Sequence, residues 1–521
     1  MYMKDSFLLY YELHDDRCED AEPLNFDSLI GVFDGMGGAG SIQFEDLEGK
    51  NRTNAYIASR IVRDSTLAFY KDNLAKLLSA FINPDEQNKI IEELIESILK
   101  DLKQFADKTK LGDGIRVKSR MIQLLPTTMA VAIIVDKKET IDVMCLWAGD
   151  SRCYILTPEK GLQQLTVDDL RLRNDAMENI VEDSPMSNYV HLPLVGDDMN
   201  PHFTINCKVY RDIPAPCIVF AATDGCFGYV GSPMEFEYLI LESIKDAKEN
   251  YLEIKNLGGI LKEKLIALPT ADDASLAGII FRNEISFVEF YEKFNTRYKI
   301  MFSEYIEKIH LENSNKDKIR TLMENKRSIE EKLEMYRRSK SEEFNEMISG
   351  RLRLILENRQ KLPKAYRAIE PISTLYDELS EEIKDEGELE LSKKFKINYA
   401  NLKKSFALKT DRNKLSQIRE LSTSCEHIDE MCRTHGNDIF HTFLNIVESI
   451  DSKKILSNYL VWDCDIEIRF IRNVYREIEE REIEISEIER ELNHFSEKSF
   501  SINSLWESYK NDYELELCRE K

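Results

Sequence analysis

The sequence predicts an α+β layered domain over residues 1–285, followed by an all-α region over residues 286–521 that forms a helical bundle or coiled coil. Three observations carry this. Short apolar runs broken by Gly, Pro and Asp crowd the first part, two helical stripes interrupt them, and turn-forming residues then almost vanish. After residue 285 the only glycines are Gly350, Gly387 and Gly436, and the only prolines are Pro363 and Pro371. Both residue types punctuate turns, so their scarcity means few turns and long helices.

The β-like runs are Phe7–Tyr11, Leu29–Phe33, Met129–Val135, Ile141–Trp147, Ile218–Ala222 and Leu276–Phe281. Each is brief, rich in β-branched or aromatic residues and bounded by turn signals. Between them, Ala55–Tyr70 reads as a helix. So does the stripe Ile91, Leu94, Ile95, Ile98, Leu102 and Phe105. The strands do not alternate singly with helices, which disfavours a doubly wound parallel sheet. In the later region Ile329, Leu333, Tyr336, Phe344, Met347 and Ile355 form one stripe. Phe470, Val474, Ile478, Ile485, Ile488, Leu492 and Phe495 form another, amid dense Glu, Lys and Arg. The heptads break too often to decide between antiparallel hairpins and an extended coiled coil.

A length of 521 residues exceeds one ordinary core and predicts two or three units. The formal charge of −24 excludes nucleic acid and anionic lipid as main partners, because both attract basic surfaces. Ten cysteines, none in a C-x-x-C pair, read as reduced thiols. With no signal-like N-terminus and no apolar run near the ~20 residues of a membrane span, a cytoplasmic protein with no membrane partner is expected. Cys425, His427, Cys432 and His435 match no common zinc spacing and read as packing and surface residues.

The chemistry gathers where apolar runs end in acid. Leu29–Phe33 meets Asp34-Gly35-Met36-Gly37-Gly38, Ile141–Trp147 meets Ala148-Gly149-Asp150-Ser151-Arg152, and Ile218–Ala222 meets Thr223-Asp224-Gly225. Asp272-Asp273-Ala274-Ser275 leads into the last strand, and Glu19-Asp20 follows the first. Carboxylates at one sheet edge repel one another unless a cation neutralises them, and oxygen-only ligation favours Mg²⁺ or Mn²⁺. Glycine beside Asp34 would let a backbone carbonyl approach such an ion.

In this order, VFDGMGG, Ala58-Ser59, Thr127-Thr128, AGDSR, LTVDD, Gly196, ATDG and DDAS resemble the protein phosphatase 2C-type (PPM) family, bacterial-like branch, over residues ~5–283. The resemblance implies a two-sheet β-sandwich flanked by helices and a metal-dependent serine/threonine protein phosphatase. It implies that Asp34 bridges two Mn²⁺ or Mg²⁺ ions, that Gly35 lends its carbonyl, and that Asp224 and Asp272 complete the second site. Glu19 and Asp20 would hold metal-bound waters, and Asp150 with Asp224 would bind a third ion. A water shared by two cations about 3.5–4 Å apart would attack phosphorus in line.

Several positions depart from the family pattern. Asp15 stands where many members place a phosphate-gripping arginine, and Arg17, two residues on, is the substitute on the same strand face. Met36 replaces a histidine of eukaryotic members, and Asp169, read as structural, replaces another. The polar stretch Arg171–Pro201 occupies the place of the family's variable flap, and reads either as a segment that sets substrate choice or as a solvated insertion.

The expected partner is a phosphoprotein substrate, with a Ser/Thr kinase as a further candidate. The helical region is expected to serve docking, regulation or homo-oligomerisation. Two alternatives remain at this level: a non-catalytic phosphatase-like scaffold that binds a phosphoprotein or partner kinase, and a phosphohydrolase acting on small molecules.

Overall fold

The computed structural model describes residues 4–13, 18–37, 43–45, 50–109, 111, 124–171, 176–177, 185–192, 203–250, 254–268, 272–357, 465–498 and 501–513. In chain order the first elements are β1 (Lys4–Tyr11), β2 (Leu24–Phe26), β3 (Leu29–Val32), β4 (Gln43–Glu45), β5 (Asn51–Thr53), α1 (Asn54–Ala80) and α2 (Pro84–Thr109). There follow β6 (Leu124–Thr127), β7 (Met129–Asp136), β8 (Thr140–Ala148), β9 (Arg152–Thr157), β10 (Gly161–Gln164), β11 (Val190–Leu192), β12 (Asn206–Pro214) and β13 (Cys217–Ala222). The short α3 (Asp224–Phe227), α4 (Pro233–Glu249), α5 (Leu257–Ile266), β14 (Ala274–Phe281) and α6 (Phe287–Met301) come next. Last are α7 (Glu307–Glu357), α8 (Asp465–Lys498) and α9 (Ile502–Tyr513).

Two five-stranded sheets, ordered β1-β14-β13-β9-β10 and β12-β8-β7-β3-β2, lie at the centre. Their ladders are antiparallel throughout. One core fills the space between them, with Val32, Ala130, Ala132, Ile134, Cys145, Ile155, Val219, Ala221 and Ile279. The intervening residues of the same strands face helices instead. Met129, Val131 and Ile133 of β7 meet α1 and α2. Ile218, Phe220 and Ala222 of β13 meet α4, α5 and α6. Because strands alternate their side chains, a strand covered on both faces must be apolar at every position. That is why the central strands read as unbroken apolar runs. The architecture is the predicted two-sheet sandwich flanked by helices.

All six predicted strands form, each within a few residues of its sequence-read bounds. The first helix is longer than predicted and runs to Ala80. Thr53 caps it, its hydroxyl accepting from the Tyr56 N–H at 3.1 Å. In α2 the buried line is Ile90, Leu94, Ile98, Leu102 and Ala106, with Ile91, Ile95 and Phe105 of the predicted stripe partly buried beside it.

The chain divides into two compact units: residues 1–312 together with 500–521, and residues 313–499. The glycine- and proline-poor stretch thus begins before the first unit ends. α6 has the composition of the helical region, yet it buries Phe290, Phe294 and Met301 in the first unit's core. Its start is fixed by a capping box between Ser286 and Glu289. α9 also belongs to the first unit.

In the second unit, Leu333 of α7 packs with Val474 and Ile478 of α8, flanked by Tyr336, Phe470 and Ile485. Lys326 pairs with Glu489 and Arg337 with Glu482, so the partners run in opposite directions along the two helices. The described part is therefore an antiparallel helix pair. Cys425, His427, Cys432 and His435 lie outside the described residues, and among those described no helix is long and apolar enough to cross a membrane.

Candidate metal centre

Antiparallel pairing brings the acidic strand ends together. β3 ends just before Asp34, β8 just before Asp150, and β13 just before Asp224, while Asp272 precedes β14. The Asp34 backbone is fixed on both sides. Its carbonyl accepts from Thr127 Oγ1 at 2.6 Å and from the Thr128 N–H at 2.8 Å, and its own N–H reaches Thr128 Oγ1 at 3.3 Å.

Asp20 is buried, and its Oδ2 accepts from Thr223 Oγ1 at 2.9 Å. The Asp34 carboxyl acts on the carboxyls of both Asp20 and Asp224. Asp150 completes the group, and its buried Oδ1 has no hydrogen-bond partner among the described residues.

Burial first, and then mutual charge, raises the carboxyl pKa of all four aspartates. Asp34 feels Asp20, Asp224 and Asp150; Asp150 feels Asp224 and Asp168; Asp224 feels Asp272. Asp20 is pushed up to about 7 by burial, with the charge of Asp224 adding to it. Carboxyls this close hold protons, or a cation, between them.

Glu19 stands at the edge of this group. Its Oε1 accepts from Thr53 Oγ1 at 2.7 Å, the same hydroxyl that caps α1. Burial raises its pKa, and Asp273 and Asp272 add to the shift. Asp272 accepts from the Tyr229 hydroxyl at 2.9 Å and from the Asp273 N–H at 2.8 Å. Asp273 has a different task, its two oxygens holding the backbone N–H groups of Leu13 and Glu19 at 2.8 and 3.1 Å. It therefore clamps the two ends of the segment that contains Asp15 and Arg17, residues that lie outside those described.

The glycines are demanded by packing. A Cβ on Gly35 would lie 2.6 Å from the Ala55 carbonyl oxygen and 2.7 Å from that of Glu19. On Gly225 it would lie 1.9 Å from the Asp273 carbonyl oxygen. Both clashes are with backbone, which cannot rotate away. Gly35 is thus required by the close approach of α1 and the Glu19 segment, a reason distinct from the carbonyl access read from sequence.

Other motif residues support the group from behind. Ser59 Oγ donates to the Glu19 carbonyl at 2.7 Å. Asp169 is structural: it accepts from the Gly149 N–H, Asn188 and Asn206. Gly196 and most of the segment 171–201 fall outside the described residues.

Three contributors escaped the sequence reading. Arg60 donates to the carbonyls of Cys18, Glu19 and Asp20 and lies over the Tyr56 ring, holding the Glu19-Asp20 backbone in place. Its signal was its place one residue after Ser59. Thr223 adjoins Asp224 and was legible as part of ATDG. Tyr229 carries no sequence signal.

Among the described residues no three carboxylate, imidazole or thiolate groups form a ready-made cage for a single ion. The orphaned buried Asp150 oxygen, and the mutual charge that raises the carboxyl pKa of Asp34 and Asp224, mark places that a divalent cation would fit.

No protein-family model and no curated protein matches this sequence. Solved structures do. The catalytic domain of the serine/threonine protein phosphatase PstP in complex with two manganese ions is 16% identical, with a TM-score of 0.35, covering 54% of this chain and 100% of that one. The serine/threonine phosphatase Stp1 from Staphylococcus aureus is 18% identical, with a TM-score of 0.35, covering 54% and 95%. The PPM Ser-Thr phosphatase MsPP from Mycobacterium smegmatis, in complex with cacodylate, is 16% identical, with a TM-score of 0.35, covering 54% and 98%. The solved structures to which this chain is similar are thus bacterial PPM-type serine/threonine phosphatases, and no family is assigned to the helices of the second unit.

Proposed function

We propose that the first unit hydrolyses phosphoserine and phosphothreonine in proteins with Mn²⁺ or Mg²⁺. The observation that carries this reading is the convergence of the buried Asp20 with the partly buried Asp34, Asp150 and Asp224, the last three next to the ends of strands from both sheets. Bound divalent cations supply Lewis acidity, which acidifies water and neutralises the charge that develops on a phosphoryl group in transfer.

The chain's own residues fix where this happens. Asp34 would be the central ligand, because its carboxyl interacts with those of both Asp20 and Asp224. Asp224 and Asp272 form the second arm, with Tyr229 orienting Asp272. Asp150, with Asp224, would hold a third ion. Glu19 and Asp20 would accept hydrogen bonds from water in the site, and Arg60 donates to their backbone carbonyls. Gly35 is a metal-adjacent backbone position, and Arg17 is the candidate contact for the substrate phosphate. The leaving alcohol takes its proton from water, since Met36 has no proton to give.

The direct test is hydrolysis of a phosphothreonine peptide with added Mn²⁺, beside nucleotides and sugar phosphates, in the wild type and in Asp224→Asn. Peptide turnover that needs Mn²⁺ and vanishes in the variant supports the reading. Preference for the small phosphates would move the substrate class, and no turnover by Mn²⁺-loaded protein would overturn the enzymatic reading.

The metal-free protein should also show a pH signature. A carboxyl whose pKa is raised by folding is protonated in the fold and ionised in the unfolded chain. Folding then takes up a proton, and raising the pH opposes it. For Asp20 this contribution is full below about pH 4 and is lost as the pH rises to about 7. In EDTA, the unfolding midpoint of the wild type should therefore fall relative to Asp20→Asn across that window, and excess Mn²⁺ should narrow the difference. A constant offset would contradict the clustering.

A further inference from the structure

The turn that carries Asp150 is held at three points. Gly149 has φ +109°, and its N–H is bound by Asp169. Ser151 Oγ is 2.6 Å from Thr128 Oγ1. Arg152 makes a buried two-pronged pair with Asp168, Nε to Oδ1 at 2.8 Å and Nη2 to Oδ2 at 2.6 Å. The first two anchors are made by neighbours in the sandwich. The third leads to the far end of the chain.

Arg152 stands between two arms of the metal centre. Its guanidinium lies 4.2 Å from the centre of the Phe227 ring, at the end of the short helix that begins with Asp224. Its charge reaches both Asp150 and Asp224. It also donates to the Tyr154 hydroxyl at 3.2 Å. Asp168 is secured in turn by Gln164 Nε2 at 3.3 Å.

Gln164 accepts from the Tyr513 hydroxyl of α9 at 3.2 Å, and the Tyr513 ring packs 6.4 Å from that of Tyr154. Next to it, Gln163 donates to the Asp512 carbonyl at 3.0 Å. Trp506, Tyr509 and Tyr513 are all buried along one face of α9. A helix of 12 residues is marginal by itself, so α9 owes its form to this docking.

We propose that Tyr513 and Gln164 are positioning residues of the metal centre: through Asp168 and Arg152 they fix the arms that carry Asp150 and Asp224, so α9 is a working part of the site. The hydroxyl of Tyr513 fixes the Gln164 amide. That amide, whose Nε2 also donates to the Thr166 carbonyl at 2.8 Å, donates to Asp168, and the guanidinium paired with Asp168 then locks the Asp150 turn against Phe227. The inference rests on reading these aspartates as a divalent-cation site.

The test is a titration of the full chain with Mn²⁺, following free Mn²⁺ by electron paramagnetic resonance, which needs no turnover. Tyr513→Phe and Gln164→Leu remove the polar link while keeping bulk. Each should weaken Mn²⁺ binding by about threefold to tenfold. Tyr509→Phe is the control, because Tyr509 bonds Glu237. It should lower the unfolding midpoint and leave the Mn²⁺ titration unchanged. Titrations of Tyr513→Phe and Gln164→Leu that superimpose on the wild type would overturn the proposal, as would an equal shift in Tyr509→Phe. Wild-type protein that takes up no Mn²⁺ at all would instead overturn the metal-centre reading and this inference with it.

Discussion

Asp34→Asn should abolish Mn²⁺-dependent hydrolysis and, in the same protein, raise the stability of the metal-free fold. The first effect follows from position. Asp34 interacts with both Asp20 and Asp224, so its loss removes the link between the two arms of the centre. Even outer partners of metal ligands cost about 10–100-fold when removed, so turnover should fall by at least roughly 100-fold. The second effect follows from the apo electrostatics. Asp34 is partly buried and carries the repulsion of Asp20, Asp224 and Asp150. Asparagine keeps the shape and removes the charge. Thermal unfolding in EDTA should therefore show a midpoint higher by about 2 °C or more, and added Mn²⁺ should stabilise the variant far less than the wild type. A variant less stable than the wild type in EDTA would mean that the aspartates are not straining the metal-free fold.

Arg297→Leu should be the most damaging single change away from the centre. Glu237 is fully buried in α4, and its oxygens take Arg297 Nε at 2.6 Å and Nη2 at 3.0 Å, with the Tyr509 hydroxyl at 2.5 Å. Removing the guanidinium leaves a buried carboxylate with one neutral donor. Breaking such a pair costs about 3–5 kcal/mol, against about 0–1 kcal/mol for an exposed pair such as Lys326–Glu489. Denaturant unfolding of the first unit should show the loss. Pairing Glu237→Gln with Arg297→Met should recover most of it, because the penalty lies in the stranded charge. A double variant as unstable as the single would place the cost in packing instead.

Much of the sandwich was legible because its central strands are covered on both faces and so are written as apolar runs. The ligand candidates were legible because Asp34, Asp150 and Asp224 each close such a run, and strand ends of antiparallel sheets meet. β9 and β10 were not legible. Gln163 and Gln164 look like solvent-facing residues, yet both are buried by hydrogen bonds to a segment 349 residues away. No local pattern encodes that distance. Arg60 was hidden for a related reason: it serves backbone carbonyls, which carry no residue identity. The boundary near residue 285 marked where turn residues run out. The compact unit continues to Glu312, because a helix that packs on a sandwich has the same composition as one that leaves it.

The placement of α9 has a consequence for how the protein is made. The second unit is an insertion between two anchors in the first, at Glu312 and Phe500. A ribosome adding about 5–20 residues per second needs roughly 10–40 s to pass the intervening stretch of about 190 residues. During that interval the sandwich waits with Gln163, Gln164, Glu237 and Arg297 lacking their final cover. The segment that seals the sandwich thus emerges after the second unit, so a nascent chain is assembled but unsealed until its helical insertion has been synthesised.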